Sequence, residues 1–226
     1  MTEQRFGSYR VVRKLGEGGM GVVYEAIHEE IGKRAAIKVL HSGYSRDPQI
    51  SARFLTEARA VNLVQHPGLV SIFEFGRGAD GSAYMVMEFL LGETLRARLE
   101  RVRKLEPRDA QRIIRQIADA LASAHEKNIV HRDLKPENVM LVPDPELAAG
   151  ERAKILDFGV AKLASAPLAA QLTQAGAFLG TPVYMSPEQC LSANAVNEKA
   201  DSYALGIMFF EMVAGGPPFM AEGIGE

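Results

Sequence analysis

The sequence predicts an α+β fold in two parts, a small strand-rich part followed by a mainly helical one. Three observations predict it. Before about residue 90, short apolar runs alternate with turns rich in Gly, Asp and Glu. Beyond Gly92 the apolar residues recur at helical spacing instead. The chain has 226 residues, 47% of them hydrophobic, enough for the core of one domain or of two lobes.

The elements follow in order. Tyr9 to Leu15, Gly21 to His28 and Arg34 to Leu40 read as strands joined by hairpins. Ser45-Arg46-Asp47-Pro48 starts a helix, because Asp47 can cap it and Pro48 suits the first turn. Phe54, Leu55, Ala58, Val61 and Leu63 keep roughly helical spacing until His66-Pro67. Val70 to Phe75 and Ala83 to Phe89 are two more strands. The first part is thus five antiparallel strands and one helix. A basic helix follows, from about Thr94 to Arg103. An amphipathic helix then carries Ala110, Ile113, Ile114, Ile117, Ala118 and Leu121 on one face. Val139–Val142 and Lys154–Leu156 form a small hairpin. Residues 160–185 are rich in Ala, Thr and Gly, have weak periodicity and read as a mobile segment. A last apolar helix covers about Asp201 to Ala214 and stops at Gly215-Gly216-Pro217-Pro218.

Composition narrows the function. A net charge of −2 gives no bulk attraction to nucleic acid or to an anionic membrane. The single cysteine, Cys190, excludes an internal disulfide framework and suits a reducing cytoplasm; it reads as a partly buried small side chain. No apolar run reaches the roughly 18 residues of a membrane span. The N-terminus has no apolar core of a signal peptide.

Five short motifs carry the chemistry: Gly16-Glu17-Gly18-Gly19-Met20-Gly21-Val22-Val23, Ala35-Ala36-Ile37-Lys38, His131-Arg132-Asp133-Leu134-Lys135-Pro136-Glu137-Asn138, Asp157-Phe158-Gly159 and Ser186-Pro187-Glu188. The glycine run lets a turn lie over phosphates with no Cβ in the way; alone it would read as an ordinary hairpin turn. Lys38 lies in an apolar strand, where an amine is desolvated unless paired. The polar run at 131–138, taken alone, reads as a surface turn after a helix. The other histidines, at 28, 41, 66 and 125, have no metal-ligand spacing.

In order and spacing these motifs resemble the signature set of protein kinases. Leu134-Lys135-Pro136-Glu137-Asn138 is similar to the serine/threonine class, and the compact chain resembles the eukaryotic-like kinases of bacteria. The resemblance covers about Gly7 to Phe219 and implies a bilobal kinase fold. Residues 1–88 would be the N-lobe, 89–92 the hinge and 93–226 a C-lobe lacking its last helices, with an activation segment at 157–188.

The resemblance also implies roles. ATP is the phosphoryl donor and Mg²⁺ its metal, held by Asn138 and Asp157. Asp133 accepts the proton of a protein serine or threonine hydroxyl, and Lys135 neutralises charge on the transferred group. Lys38 contacts the α- and β-phosphates with Glu57 as partner, against the alternative that Glu57 is one charge of a solvated face. The nucleotide is bound by Leu15, Gly16, Glu17, Gly18, Gly19, Met20, Gly21, Val22 and Val23. Ala36 and Met140 sandwich the adenine, and backbone groups of Glu88 and Leu90 read its edge. Met87 gates a back pocket, although Met87 and Met140 read equally as core. Thr181 selects Ser/Thr acceptors. His131 packs under Phe158 in a stack with Val61 and Ile72.

Arg132 implies control by an anion on the activation segment, with Thr173 first and Ser165 second as phosphate sites. The arginines and lysine at 96, 98, 101, 103 and 104 read as a solvated basic face.

Two departures from the family pattern stand out. Ser186 replaces the usual alanine. After Phe219 no arginine follows to pair with Glu188, so that carboxylate is expected to be wet or moved and the helix at 201–214 under-covered. The function expected is an autophosphorylating protein serine/threonine kinase of signal transduction. The alternative is a nucleotide-binding kinase-like fragment with little or no activity. Relatives also associate through the small lobe, and the full protein could be membrane-anchored beyond residue 226.

Overall fold

The computed structural model describes residues 4–157, 182–191 and 196–219; the side chains of Gln49, Arg53, Glu57, Ala58, Ala60, Val61, Pro182 and Leu191 lie outside the description. The chain forms two compact units, one of residues 1–65 and 70–91, the other of residues 66–69 and 92–226.

The first unit is an antiparallel sheet with two helices. Its strands are β1 (Arg5–Phe6), β2 (Tyr9–Glu17), β3 (Gly21–His28), β4 (Arg34–Leu40), β5 (Ile72–Arg77) and β6 (Ala83–Glu88), in the order β1-β2-β3-β4-β6-β5. The helices are α1 (Ser42–Ser45) and α2 (Pro48–Asn62). The sheet therefore has one strand more than the five expected, and α1 is a second helix. Neither has a periodic signal. β1 is two residues long, and its pairing depends on Gly7, whose φ of +55° turns the chain back. A Cβ on Gly7 would meet the Tyr84 hydroxyl at 2.9 Å.

Alternation along the strands builds the core. Ile37, Val39, Ala26, Tyr84 and Val86 are buried together with Phe6 and Tyr9. Phe54 of α2 is 1% exposed and its ring centroid lies 5.6 Å from that of Phe75. The Ile50 amide donates to Asp47 Oδ1 at 3.3 Å, so Asp47 caps α2. Glu25, 5% exposed, accepts from Arg13 and Arg34.

The second unit is mainly helical. It has α3 (Leu95–Val102), α4 (Pro107–His125), α5 (Pro187–Leu191) and α6 (Lys199–Ala214), plus a small sheet of β7 (Glu93–Thr94), β8 (Val139–Pro143) and β9 (Glu151–Ile155). The expected hairpin is β8–β9, with Val139 opposite Ile155. Gly92, at φ +151°, lets β7 lie close to β8; a Cβ there would meet the Leu141 carbonyl at 2.0 Å. Ala110, Ile113, Ile117, Ala120, Leu121 and Ala124 form the buried stripe of α4. Ile114 and Ala118, expected on that stripe, lie at its half-buried margins.

Helix α4 packs on α6. Inward, α6 buries Ala204, Ile207, Met208 and Met212; outward, Phe209 and Phe210 are exposed. Gly215, at φ +89°, ends it. Residues 66–69, between the helix and strand of the first unit in sequence, belong here because the Ile155 amide donates to the Gly68 carbonyl at 2.8 Å and Leu69 bridges Ile155. Cys190 is exposed, against the expectation of partial burial.

Candidate active site

The glycine loop is the turn between β2 and β3. Leu15, Gly16 and Glu17 end β2, and Gly21, Val22 and Val23 begin β3. Glu17 pairs across the ladder with Val22, and Gly16 with Val23. The tip closes on itself, because Gly18 and Gly21 exchange backbone hydrogen bonds of 2.9 and 3.3 Å. The glycines have different reasons to be glycine. A Cβ on Gly21 would meet the Val39 carbonyl at 2.1 Å, so β4 requires it. Gly16 and Gly18 face open space.

Lys38 is on β4, opposite Val23 and Met85, and its ammonium lies 5.9 Å from the Phe54 ring centroid. Glu57 is on α2, and its side chain lies outside the description. Ala36 and Met87 are paired neighbours on β4 and β6, each 7% exposed. The Glu88 amide donates to the Ser71 carbonyl at 2.9 Å, and Glu88 pairs with Ala35 of β4. Leu90 follows β6 and is half-buried.

In the second unit, the segment at 131–138 is fixed by side chains distant in sequence. Asp201 of α6 is 1% exposed. Its Oδ2 accepts from the His131 amide and its Oδ1 from the Arg132 amide, each at 2.8 Å. The His125 Nε2 also lies 2.8 Å from Oδ2. These bonds hold Arg132 at φ +64°, a conformation that a non-glycine residue adopts only when its surroundings impose it. His131 is fully buried, and its Nδ1 accepts from the Asp133 amide at 3.3 Å. The proton therefore sits on Nε2, which donates to the Leu156 carbonyl at 3.0 Å. His131 is thus a polar strut at both ring nitrogens; the stack expected with Val61 and Phe158 lies outside the described residues.

Two of the expected catalytic residues, Asp133 and Lys135, converge with the expected metal ligand Asn138. Asn138 Nδ2 donates to the Asp133 carbonyl at 2.8 Å and to its carboxylate at 3.3 Å. Lys135 Nζ lies 3.5 Å from Asp133 Oδ2. With its nitrogen turned to Asp133, Asn138 directs its amide oxygen the other way. The Leu156 amide donates to the Asn138 carbonyl at 2.8 Å, which brings Asp157 beside Asn138. A carboxylate and an amide oxygen are the hard donors a divalent cation takes when it shares a nucleotide's phosphates and keeps water. Among the described residues no three His, Cys, Asp or Glu form a closed metal site. Met140 of β8 is half-buried opposite Thr94 and Lys154. Thr181, Thr173, Ser165, Phe158 and Gly159 lie outside the described residues.

Two further groups surround this loop. Burial pushes the Arg132 guanidinium below its ordinary value, opposed by Asp201. One of its nitrogens, Nη1, is buried with no partner among the described residues. Arg96 of α3 bonds Glu137 at 2.9 Å, Glu211 at 2.8 Å and the Tyr184 hydroxyl. Tyr184 donates to Glu211 in turn, and its phenol is pushed up by burial and then by Glu211. Arg98 pairs with Glu93 and Glu151. The solvated face expected for the basic helix is therefore corrected at Arg96 and Arg98, which are a quarter exposed or less. Their acidic partners lie up to 115 positions away in sequence, so no local pattern marks them.

Ser186 is fully buried and bonds the Gln189 side chain, which donates to the Arg132 carbonyl at 2.8 Å. Its extra hydroxyl is thus accommodated. Glu188 is half-exposed and makes no ion pair among the described residues.

Residues 9–225 match the protein kinase domain family. Serine/threonine-protein kinase Pkn1 of Myxococcus xanthus is 45% identical over 97% of the chain, and PknA of Mycobacterium tuberculosis 40% identical over 96%. The chain spans 31% and 49% of their respective lengths. Among solved structures, the PknI kinase domain of Mycobacterium tuberculosis superposes with a TM-score of 0.73 at 28% identity, over 97% of this chain and 79% of that one. No described helix is long and apolar enough to cross a membrane. The bonded group of Asp133, Lys135 and Asn138, the lysine strand and the match along nearly the whole chain converge on one conclusion: this chain belongs to the protein kinase domain family.

Proposed function

We propose that the chain transfers the γ-phosphoryl group of ATP to serine or threonine hydroxyls of proteins. The observation that carries the reading is the bonded group of Asp133, Lys135 and Asn138, with Asp157 brought beside it by the Leu156 amide. Asp133 takes the acceptor's proton as the hydroxyl oxygen attacks the γ-phosphorus, and the bond to the β–γ bridging oxygen breaks to leave ADP. Lys135 offsets the charge spread over the transferred group. Asn138 and Asp157 would hold Mg²⁺, which supplies charge neutralisation when bound.

Lys38, paired with Glu57, orients the α- and β-phosphates. The residues from Leu15 to Val23 cover them. Ala36, Met87 and Met140 enclose the adenine, and the Glu88 carbonyl and Leu90 amide read its edge. Thr181 selects the acceptor. Residues 1–88 serve as the N-lobe, 89–92 as hinge and 93–226 as C-lobe. Arg132, with one buried nitrogen that has no partner among the described residues, supports control by a phosphate on the 157–188 segment, at Thr173 or Ser165. Autophosphorylation, a cytoplasmic setting and association through the first unit complete the reading.

Intact-mass spectrometry after incubation with Mg-ATP tests it, beside a Lys38→Met control. Added phosphates on the wild type alone are the expected result, and fragmentation locates them. No added mass on the chain or on a protein acceptor, with ATP still bound, would overturn it in favour of an inactive nucleotide-binding module.

A further inference from the structure

His41 is a residue of the first unit to which neither the family motifs nor the core assigns a task. It follows β4 directly, three positions after Lys38. Three sets of bonds fix it. Its carbonyl accepts from the Tyr44 and Ser45 amides, each at 3.0 Å, so its backbone starts α1. Its own amide donates to the Met20 carbonyl at 3.0 Å. Its ring Nε2 lies 3.1 Å from the Gly18 carbonyl oxygen. The same nitrogen is 3.7 Å from Glu17 Oε1, a carboxylate that also pairs with Lys14.

The bonds reach both sides of the loop tip. Met20 is held by the backbone of His41 and Gly18 by its side chain. Beyond the strand pairing of Gly16 and Glu17, the tip adds the two bonds between Gly18 and Gly21. Gly16 and Gly18 meet nothing that would restrain them sterically. A glycine peptide without such restraint can turn over and present either its N–H or its carbonyl to a ligand. A carbonyl turned toward a phosphate is repelled, whereas an N–H attracts it. The imidazole N–H adds a second donor to the Gly18 carbonyl, which also accepts from the Gly21 amide at 3.3 Å, and so opposes that turn.

We propose that His41 is a positioning residue of the glycine loop: it fixes the Gly18 peptide and Met20 in one orientation and so prepares the loop for the phosphates of a nucleotide. The inference rests on the proposed function for its ligand, but the anchor itself is a property of the nucleotide-free chain. The imidazole acts through the loop and does not touch the reacting atoms. Its contribution falls on nucleotide binding and not on the transfer step.

The test uses the full 226-residue chain, wild type, His41→Ala and His41→Gln. The His41 side chain is 36% exposed, so neither change opens a core cavity. The glutamine amide can donate where the imidazole Nε2 does. His41→Ala is expected to raise the KM for Mg-ATP about fivefold, what one net hydrogen bond carries, with kcat nearly unchanged. His41→Gln is expected to restore most of the loss. Backbone amide exchange over residues 17–21, measured without nucleotide, is expected to quicken in the alanine variant and not in the glutamine one.

An unchanged KM together with unchanged exchange would overturn the inference. So would an equal fall of kcat in both variants, which marks a general loss of structure. If the wild type neither binds nor turns over Mg-ATP, the proposed function fails, and loop exchange then decides alone. Faster exchange in the alanine variant supports the anchor, and identical exchange removes it.

Discussion

The glycine loop and the catalytic loop are both turns of similar length, yet they are held in opposite ways. The catalytic loop is fixed from a distance. Asp201, about 70 positions away, holds two of its amides, and His131 is buried and bonded at both ring nitrogens. The glycine loop is held locally, by strand pairing, one closed turn and an exposed imidazole. A base must meet its acceptor in one geometry, which favours an over-determined frame. A loop that covers a ligand must also release it, which favours a few weak restraints.

The largest effect that tests this contrast is on chemistry. Asp133→Asn is expected to lower phosphoryl transfer by about 100- to 10,000-fold with ATP affinity little changed. Steady-state kinetics beside a nucleotide titration measures it, and comparable turnover would remove Asp133 from the role of base.

The frame comes next. Asp201→Ala removes the buried acceptor shared by the His131 and Arg132 amides and the part-exposed His125 ring, at a cost of about 3 kcal/mol. Chemical denaturation reads that loss. A change within about 0.5 kcal/mol would mean that the catalytic loop is held by something else. Arg96→Ala leaves Glu211, 5% exposed, beside Tyr184 with no cation. The part-exposed Arg96 limits the loss to about 2 kcal/mol, again by denaturation.

The smallest effect is a pH dependence. Burial and Glu211 raise the Tyr184 phenol, so the folded chain keeps its proton longer than the unfolded chain does. The unfolded phenol ionises near pH 10, so this contribution is complete below about pH 10 and is lost as pH rises further. Tyr184→Phe should flatten that part of the alkaline stability curve, and an identical slope would refute the assignment.

Much of the molecule was legible because its signals are local. The apolar run from Ala35 to Leu40, interrupted only by Lys38, marks β4, and the stripe from Ala110 to Leu121 marks α4. The motif residues Asp133, Lys135 and Asn138 lie within six positions, so their convergence follows from one turn. β1 escaped because two residues carry no period, and its pairing follows from Gly7 and the Tyr84 ring.

The sequence by itself determined the α+β class, the order of the longer elements and the motifs that mark the family, since each depends on neighbours a few positions apart. Only the tertiary structure decided which charges are partners. Arg96 reads as one more surface arginine until α3 is set beside Glu137, Tyr184 and Glu211. Asp201 reads as a helix start until α6 brings it under the amides of His131 and Arg132. His41 reads as one more histidine without metal spacing until β4 ends beside the glycine turn. A buried or bonded charge is defined by its distance to a partner in space, and chain separation carries no record of that distance.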